Sequence, residues 1–247
     1  MLNTSDIKNL LIEKYKNEDF RVAKSGVKTV ELQGIQFEAD KDHIIREPNY
    51  DYATREIAWY ESQSLNVHDI EGGAPTIWKQ CADVNGDINS NYGWMIWSKE
   101  NGSQYNNCVW QLVNDPTTRE AAMIYNRPSM HVDATANHKH DFCCTYAVQC
   151  FLNPKYTKPE PGIGYPEGAL PEIESYTLDY HVYMRSNDAV FGYDNDYLWH
   201  DYVFNKLIVD LSEKLSIKVN RGKLIWNAGS LHVYERHFKF LTDAENK

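Results

Sequence analysis

Apolar residues recur along this chain with two periods, and the switches between them mark out its elements. Ile7, Leu10, Leu11 and Tyr15 fall three and four apart behind Ser5, which predicts a capped helix over residues 5–17. In VKTVELQGIQFEA, residues 27–39, the period becomes two, predicting a strand with a bulge at Gly34. ATREIAWYESQSL, residues 53–65, returns to helical spacing, and VNGDINSNYG, residues 84–93, is turn-forming. Strands are predicted at 121–126, 142–152, 177–186 and 223–234. A helix is predicted at 201–216, with Leu207, Ile208, Leu211 and Leu215 inward. One stretch breaks the pattern: residues 153–175 hold five prolines and three glycines between two good strands. It predicts a loop insertion and not a domain boundary, because strands of the same character flank it. Helix, strand, helix and then several strands give an α+β expectation, with one domain over residues 1–247.

Charge narrows the partners. The net charge is -10 and no run of Lys and Arg stands out, which argues against nucleic acid, whose phosphates need a basic surface. A mononucleotide is different, since a few placed cations hold one phosphate on an acidic protein. No signal peptide and no apolar stretch of spanning length is visible, so no membrane is expected. Five cysteines form an odd count without the spacing of a disulfide framework, so the expected compartment is a reducing cytoplasm. The 17 Tyr and 7 Trp suit a flat ligand, and equally a well-packed core.

Three stretches hold candidate chemistry. In DFCCTYAVQCF, residues 141–151, strand alternation puts Phe142, Cys144, Tyr146, Val148 and Cys150 on one face and Cys143, Thr145, Ala147 and Gln149 on the other. Cys143 and Cys144 therefore cannot share a role, and each alone reads most simply as a packing residue. His138 and His140 lie near them, but adjacent cysteines on a strand diverge and no C-x-x-C pair accompanies them, so no metal is expected. In MRSNDAVFGYDND, residues 184–196, a strand ends on Arg185 and Ser186. That pair is either a phosphate clamp or an exposed turn with an ion pair. In GSLHVYERHF, residues 229–238, His232 and Tyr234 share one strand face, suited to a sugar hydroxyl or to an ordinary polar edge.

The order of these pieces carries more than each alone. Lys24-Ser25-Gly26, Arg55-Glu56-x2-Trp59, Ile77-Trp78, Asn91-Tyr92-Gly93 and Asp115-Pro116-x2-Arg119 come first. Cys144 with Gln149 follows, then Arg185-Ser186-x-Asp188-x3-Gly192-x3-Asp196 and His232-x-Tyr234. This ordered set resembles the thymidylate synthase superfamily along nearly the whole chain. IWKQCADVNGDINSNYGWMIWS, MIYNRPSM and IWNAGSLHVYERHF draw it toward the phage deoxycytidylate hydroxymethylase branch.

The resemblance implies a thymidylate synthase-like fold, a mixed sheet with flanking helices, in a homodimer with shared active sites. It implies dCMP as substrate and 5,10-methylenetetrahydrofolate as co-substrate, the product being 5-hydroxymethyl-dCMP. Cys144 matches the nucleophile that adds to C6, with Cys143 packing behind it, and Arg185 is expected to lower the thiol pKa. Glu56 matches the carboxylate that organises water near C5, and its apolar neighbours Ile57, Trp59 and Tyr60 argue against a surface charge. Lys24, Arg119, Arg185 and Ser186 map to phosphate, with Arg119 reaching across the dimer. His232 and Tyr234 map to the deoxyribose hydroxyl, Trp78 and Asp188 to folate, and Tyr92 to the pocket beside the thiol. Asp196 stands where thymidylate synthases carry the Asn that reads uracil, which implies cytosine. Asp194, in the same YDND stretch, reads as a turn residue.

The chain also departs from the family pattern. Thr145 replaces the His that usually follows the cysteine, and Glu120 replaces a second Arg after Arg119. The 153–175 loop is long, and the final LTDAENK is polar where an apolar tail closes thymidylate synthases over folate. Three alternatives stay open at this level: C5 methylation, a ribonucleotide or dUMP substrate, and an inactive homologue that only binds nucleotide.

Overall fold

The computed structural model describes residues 1–136, 138–157 and 171–245. Strand β1 (Leu2–Asn3) leads into helix α1 (Thr4–Lys16), which is capped by Asn3 and not Ser5: Asn3 and Asp6 exchange side-chain and backbone hydrogen bonds in a capping box. Strands β2 (Arg21–Val22) and β3 (Lys28–Glu38) form a hairpin. Helices α2 (Tyr50–Ser62), α3 (Thr76–Cys81), α4 (Tyr92–Trp97) and α5 (Gln104–Asn114) follow. Then come β4 (Ala122–Ile124), α6 (Ser129–Ala136), β5 (Thr145–Tyr156), β6 (Ile173–Met184) and β7 (Asn187–Asp188). The chain closes with α7 (Gly192–Leu215), β8 (Val219–Tyr234) and α8 (Phe238–Glu245).

The strands form one mixed sheet in the order β1-β3-β8-β6-β5-β4, with β2 on β3 and β7 on β8. Pairings β3–β8, β6–β5 and β5–β4 are antiparallel, whereas β8–β6, β1–β3 and β7–β8 are parallel. The class is therefore α+β, as the alternation pattern predicts. Helix α7 packs Trp199, Val203, Phe204, Leu207 and Leu211 inward, all fully buried. Trp199 meets Tyr60 of α2 and Trp97 of α4 edge-on at 5.0 and 5.4 Å.

Several boundaries differ from expectation. The strand after the cysteines begins at Thr145, not 142, and its register with β6 slips between Thr145 and Ala147. That bulge breaks the simple alternation: Thr145, Val148 and Cys150 are buried and Tyr146 is exposed. Gly34 makes no bulge. Register with β8 is unbroken from Thr29↔Tyr234 to Glu38↔Ile225, and the glycine only takes up a positive φ of 61°. Helix α7 starts at Gly192, earlier than 201, so Asp194 lies in its first turn, buried, 3.6 Å from Arg46. Loss of water pushes the Asp194 carboxyl up to about 8, with Arg46 acting the other way. The predicted loop at 153–175 is strand at both ends, with Pro154 paired to Tyr176, and the rest of it lies outside the described residues.

One close approach sets the spacing of two helices. A Cβ on Gly93 would stand 1.8 Å from the Tyr60 carbonyl oxygen, so α4 can touch the end of α2 only with glycine there. This contact fixes Tyr92 beside α2, its ring stacked on Tyr60 at 5.2 Å.

Candidate active site

Cys143 and Cys144 sit on the segment that enters β5, and that segment is pinned from behind. Asp141 accepts from the backbone N–H of Asn89 at 2.5 Å and of Ser90 at 2.6 Å, and Cys143 Sγ meets Ser90 Oγ at 3.3 Å. Burial pushes the Cys143 thiol up to about 12, the behaviour of a packing residue. Cys144 points the other way, half-buried, with its Sγ 3.7 Å from Arg185 Nη2.

Arg185 is held before any ligand arrives. Its Nε donates to the Cys143 carbonyl at 3.0 Å, its Nη2 to the Phe142 carbonyl at 2.5 Å, and its guanidinium lies 5.4 Å over the Phe142 ring. Its own carbonyl is approached by Gly229, where a Cβ would come within 3.0 Å. The expected depression of the thiol pKa does not appear. Burial, with the Asp196 carboxyl beside it, outweighs the Arg185 cation and lifts Cys144 to about 11. Cys144 thus rests as a thiol at neutral pH. Iodoacetamide alkylation of Cys144 in the free protein should accelerate about tenfold per pH unit from neutrality to pH 9, with no plateau. A plateau below pH 8 would show a preformed thiolate.

Two carboxyls come from helices, Asp196 beside the thiol and Glu56 beside Asp196. Glu56 on α2 is buried and accepts from the Tyr52 hydroxyl and, at 2.7 Å, from Trp78 Nε1. Burial raises its pKa, against those two hydrogen bonds. Asp196 on α7 accepts from Asn187 Nδ2 at 2.7 Å. Its pKa is raised well above the carboxylate range by loss of water and by Glu56, while hydrogen bonds from Asn187 and Tyr92 pull it down. Tyr92 also accepts the Thr145 N–H, at 3.3 Å, so its hydroxyl joins the cysteine segment to Asp196.

The remaining positions line the approach. His232 is buried, its Nδ1 3.2 Å from Ser230 Oγ, with its ring 4.7 Å from Tyr234. Both line an open cavity of about 200 Å3 that Arg21 and Glu31 also border. A larger opening, about 370 Å3 between Lys14, Asp19 and Gln33, holds none of the predicted residues. Ser186 is half-buried just after Arg185, and Asp188 Oδ1 accepts from the Val190 N–H at 2.9 Å. Asp188 Oδ2 lies 3.7 Å from His237 Nδ1, a buried nitrogen with no hydrogen-bond partner. The structure brings together Cys144, Arg185, Asp196, Tyr92, Glu56 and Trp78. Lys24, in the β2–β3 turn, and Arg119, before β4, are both exposed, and among the described residues no hydrogen bond joins either side chain to that set.

Sequence reasoning misses the partners. Tyr52 stands one helical turn before Glu56, a spacing that could have been read. Asn187 and Asp141 give no such signal, because their partners are distant in sequence.

A half-buried cysteine beside an arginine and a carboxyl, at the entry to a strand of a mixed sheet, suits the class of enzymes that work through a cysteine thiol. The family model for thymidylate synthase matches residues 6–245, and the chain belongs to the thymidylate synthase family. It is 44% identical over 229 residues to the deoxycytidylate 5-hydroxymethyltransferase of Enterobacteria phage T4, covering 92% of this chain and 84% of that protein. The same figures hold for the phage T2 enzyme of that name. Similarity to the thymidylate synthase of Bacillus atrophaeus is 25% over 194 residues, 75% of this chain and 70% of that one. Among solved structures, the thermostable thymidylate synthase A of Bacillus subtilis superposes with a TM-score of 0.63 at 17% identity, over 99% of this chain and 84% of that one.

Proposed function

We propose that this chain is a deoxycytidylate 5-hydroxymethyltransferase, converting dCMP to 5-hydroxymethyl-dCMP with 5,10-methylenetetrahydrofolate. The observation that carries this reading is Asp196, a carboxyl with a raised pKa held by Asn187 and Tyr92 close enough to Cys144 to perturb its thiol. Cytosine offers an amino donor at N4 and an acceptor at N3. A protonatable carboxyl matches both, accepting from N4 and sharing its proton with N3.

The bound folate supplies a one-carbon unit at the oxidation level of formaldehyde. Asp188 and Trp78 suit its ring: the Asp188 carboxylate keeps acceptor capacity beside the unpartnered His237 nitrogen, and the Trp78 indole N–H is already committed to Glu56. Cys144 Sγ gives up its proton to solvent and bonds to C6 of cytosine, and the C5=C6 electron pair moves to C5, where the one-carbon unit is accepted. Asp196 neutralises the ring by its proton at N3. Once the C5 proton and the carrier have left, an exocyclic methylene remains. Glu56 holds a water and takes its proton as the oxygen bonds to that carbon. The S–C6 bond then breaks, N3 returns its proton to Asp196, and the departing thiolate regains a proton from solvent. His232 and Tyr234 orient the sugar, while Arg185, Ser186 and Lys24 take the phosphate.

Mass spectrometry of the product tests the reading. A gain of CH2O with release of tetrahydrofolate is expected. A gain of CH2 with dihydrofolate would mean methylation, and no product would leave a nucleotide-binding homologue.

The exposed Arg119, and the apolar Ile124 and Tyr146 exposed along β4 and β5, fit a homodimer in which Arg119 serves the neighbouring site. Mixing inactive Arg119→Ala and Cys144→Ser chains should then regenerate one intact site per mixed dimer. No recovered turnover would confine Arg119 to its own subunit.

A further inference from the structure

Behind the thiol runs a hydrogen-bond chain that none of these steps uses. Trp199 Nε1 donates to the Tyr125 hydroxyl at 3.3 Å, and Tyr125 in turn bonds Tyr180. The Tyr180 hydroxyl meets His200 Nδ1 at 3.2 Å, and His200 Nε2 meets Thr145 Oγ1 at 3.3 Å. Thr145 Oγ1 donates to Met184 Sδ at 3.1 Å. A thioether only accepts, so the Thr145 hydroxyl gives its proton to Met184 Sδ, which sets the direction at the Thr145 end of the chain. Thr145 Oγ1 is then left to accept, so His200 takes the tautomer protonated on Nε2, with Nδ1 accepting from the Tyr180 hydroxyl. His200 is fully buried, and burial depresses its pKa to about 3, so the ring stays neutral.

The chain ends on the residue that follows the nucleophile. Thr145 is held through its side chain by His200 and through its N–H by Tyr92, which bonds Asp196. His200 stands four residues after Asp196 on α7, on the same helix face. These anchors fall where the sheet itself is weakest, since register is lost between Thr145 and Ala147.

We propose that His200 is a positioning residue for the nucleophile: it fixes the Cys144–Thr145 peptide, and with it the aim of Cys144 Sγ and the Tyr92 hydroxyl, without touching substrate. This rests on Cys144 being the nucleophile.

His200→Phe fills the space and removes both hydrogen bonds, whereas His200→Gln keeps an N–H near the position of Nε2. The full-length variants are compared for kcat, for KM with dCMP, and for the rate of iodoacetamide alkylation of Cys144. His200→Phe should lose about 10- to 100-fold in kcat with KM changed less than about threefold, as expected for a misaligned reacting atom. Its alkylation rate should move by about threefold or more, and His200→Gln should recover most of both. Thr145→Val should lose kcat similarly, and the double variant should be no worse than the poorer single, because both break one contact. Wild-type kcat per alkylatable thiol in His200→Phe, or losses that multiply in the double variant, would overturn the proposal. If His200→Phe fails to fold, Thr145→Val decides alone, its unchanged kcat being the negative result. Should the wild-type protein not turn over dCMP, the hydroxymethylation reading fails, and the alkylation rates still report on positioning.

Discussion

Cys144→Ser is expected to lose turnover on the order of 10^4-fold or more while binding dCMP with a Kd within about threefold of the parent. A serine hydroxyl is far less acidic and less nucleophilic than a thiol, and Arg185 keeps its contacts to the Phe142 and Cys143 carbonyls whichever atom caps residue 144. Cys143→Ser should behave oppositely. Its thiol is enclosed against Ser90, so the exchange costs about 1 kcal/mol of stability, a fall of a few degrees in Tm, with kcat nearly unchanged. Steady-state kinetics and thermal melts on the two proteins separate the roles. An active Cys144→Ser beside a dead Cys143→Ser would exchange the two assignments.

Asp196→Asn should reverse base choice, cutting kcat/KM on dCMP and raising it on dUMP. The hydrogen-bond directions explain why the amide cannot simply turn to suit cytosine. Trp226 Nε1 donates to Asn187 Oδ1 at 3.2 Å, which fixes Asn187 so that its Nδ2 faces Asp196. In Asp196→Asn the side-chain oxygen must take that N–H, leaving the NH2 to face the base. An NH2 opposes the N4 amino group of cytosine but donates to O4 of uracil. A donor left facing a donor in an enclosed site costs about 1–3 kcal/mol, so the preference between the two bases should move by about 5- to 150-fold. The readout is kcat/KM for both nucleotides on one preparation. Undiminished preference for dCMP would remove the main support for cytidylate specificity.

Legibility in the sequence followed the range of the interactions. Helix α2 and the burial of Glu56 were readable, because a carboxylate set among Ile57, Trp59 and Tyr60 has no water-facing side. The opposite orientations of Cys143 and Cys144 followed from adjacency alone. Period counting failed at Thr145, where a bulge shifts parity, and over the first turns of α7, whose inward residues are Tyr193, Asp194, Trp199 and His200 and not an aliphatic stripe. The thiol pKa was misjudged because one visible cation was weighed and the surrounding loss of water was not. Asn187, Asp141 and His200 escaped notice for a common reason: each acts through partners that only the fold brings near.

The contact of Gly93 with the Tyr60 carbonyl governs how far mutation can retune this enzyme. Glu56 belongs to α2 and Tyr92 to α4, and the two helices meet there main chain to side-chain-free main chain. The separation between the backbone that carries Glu56 and the backbone that carries Tyr92 is therefore a property of the scaffold. Substitutions around Tyr60 and Trp97 can alter stability while the chemical spacing stays constant. A methyl group at position 93, by contrast, acts as a wedge that moves both groups at once. In a saturation scan the site would present a broad tolerant shell around one sharply intolerant glycine that touches neither substrate nor product.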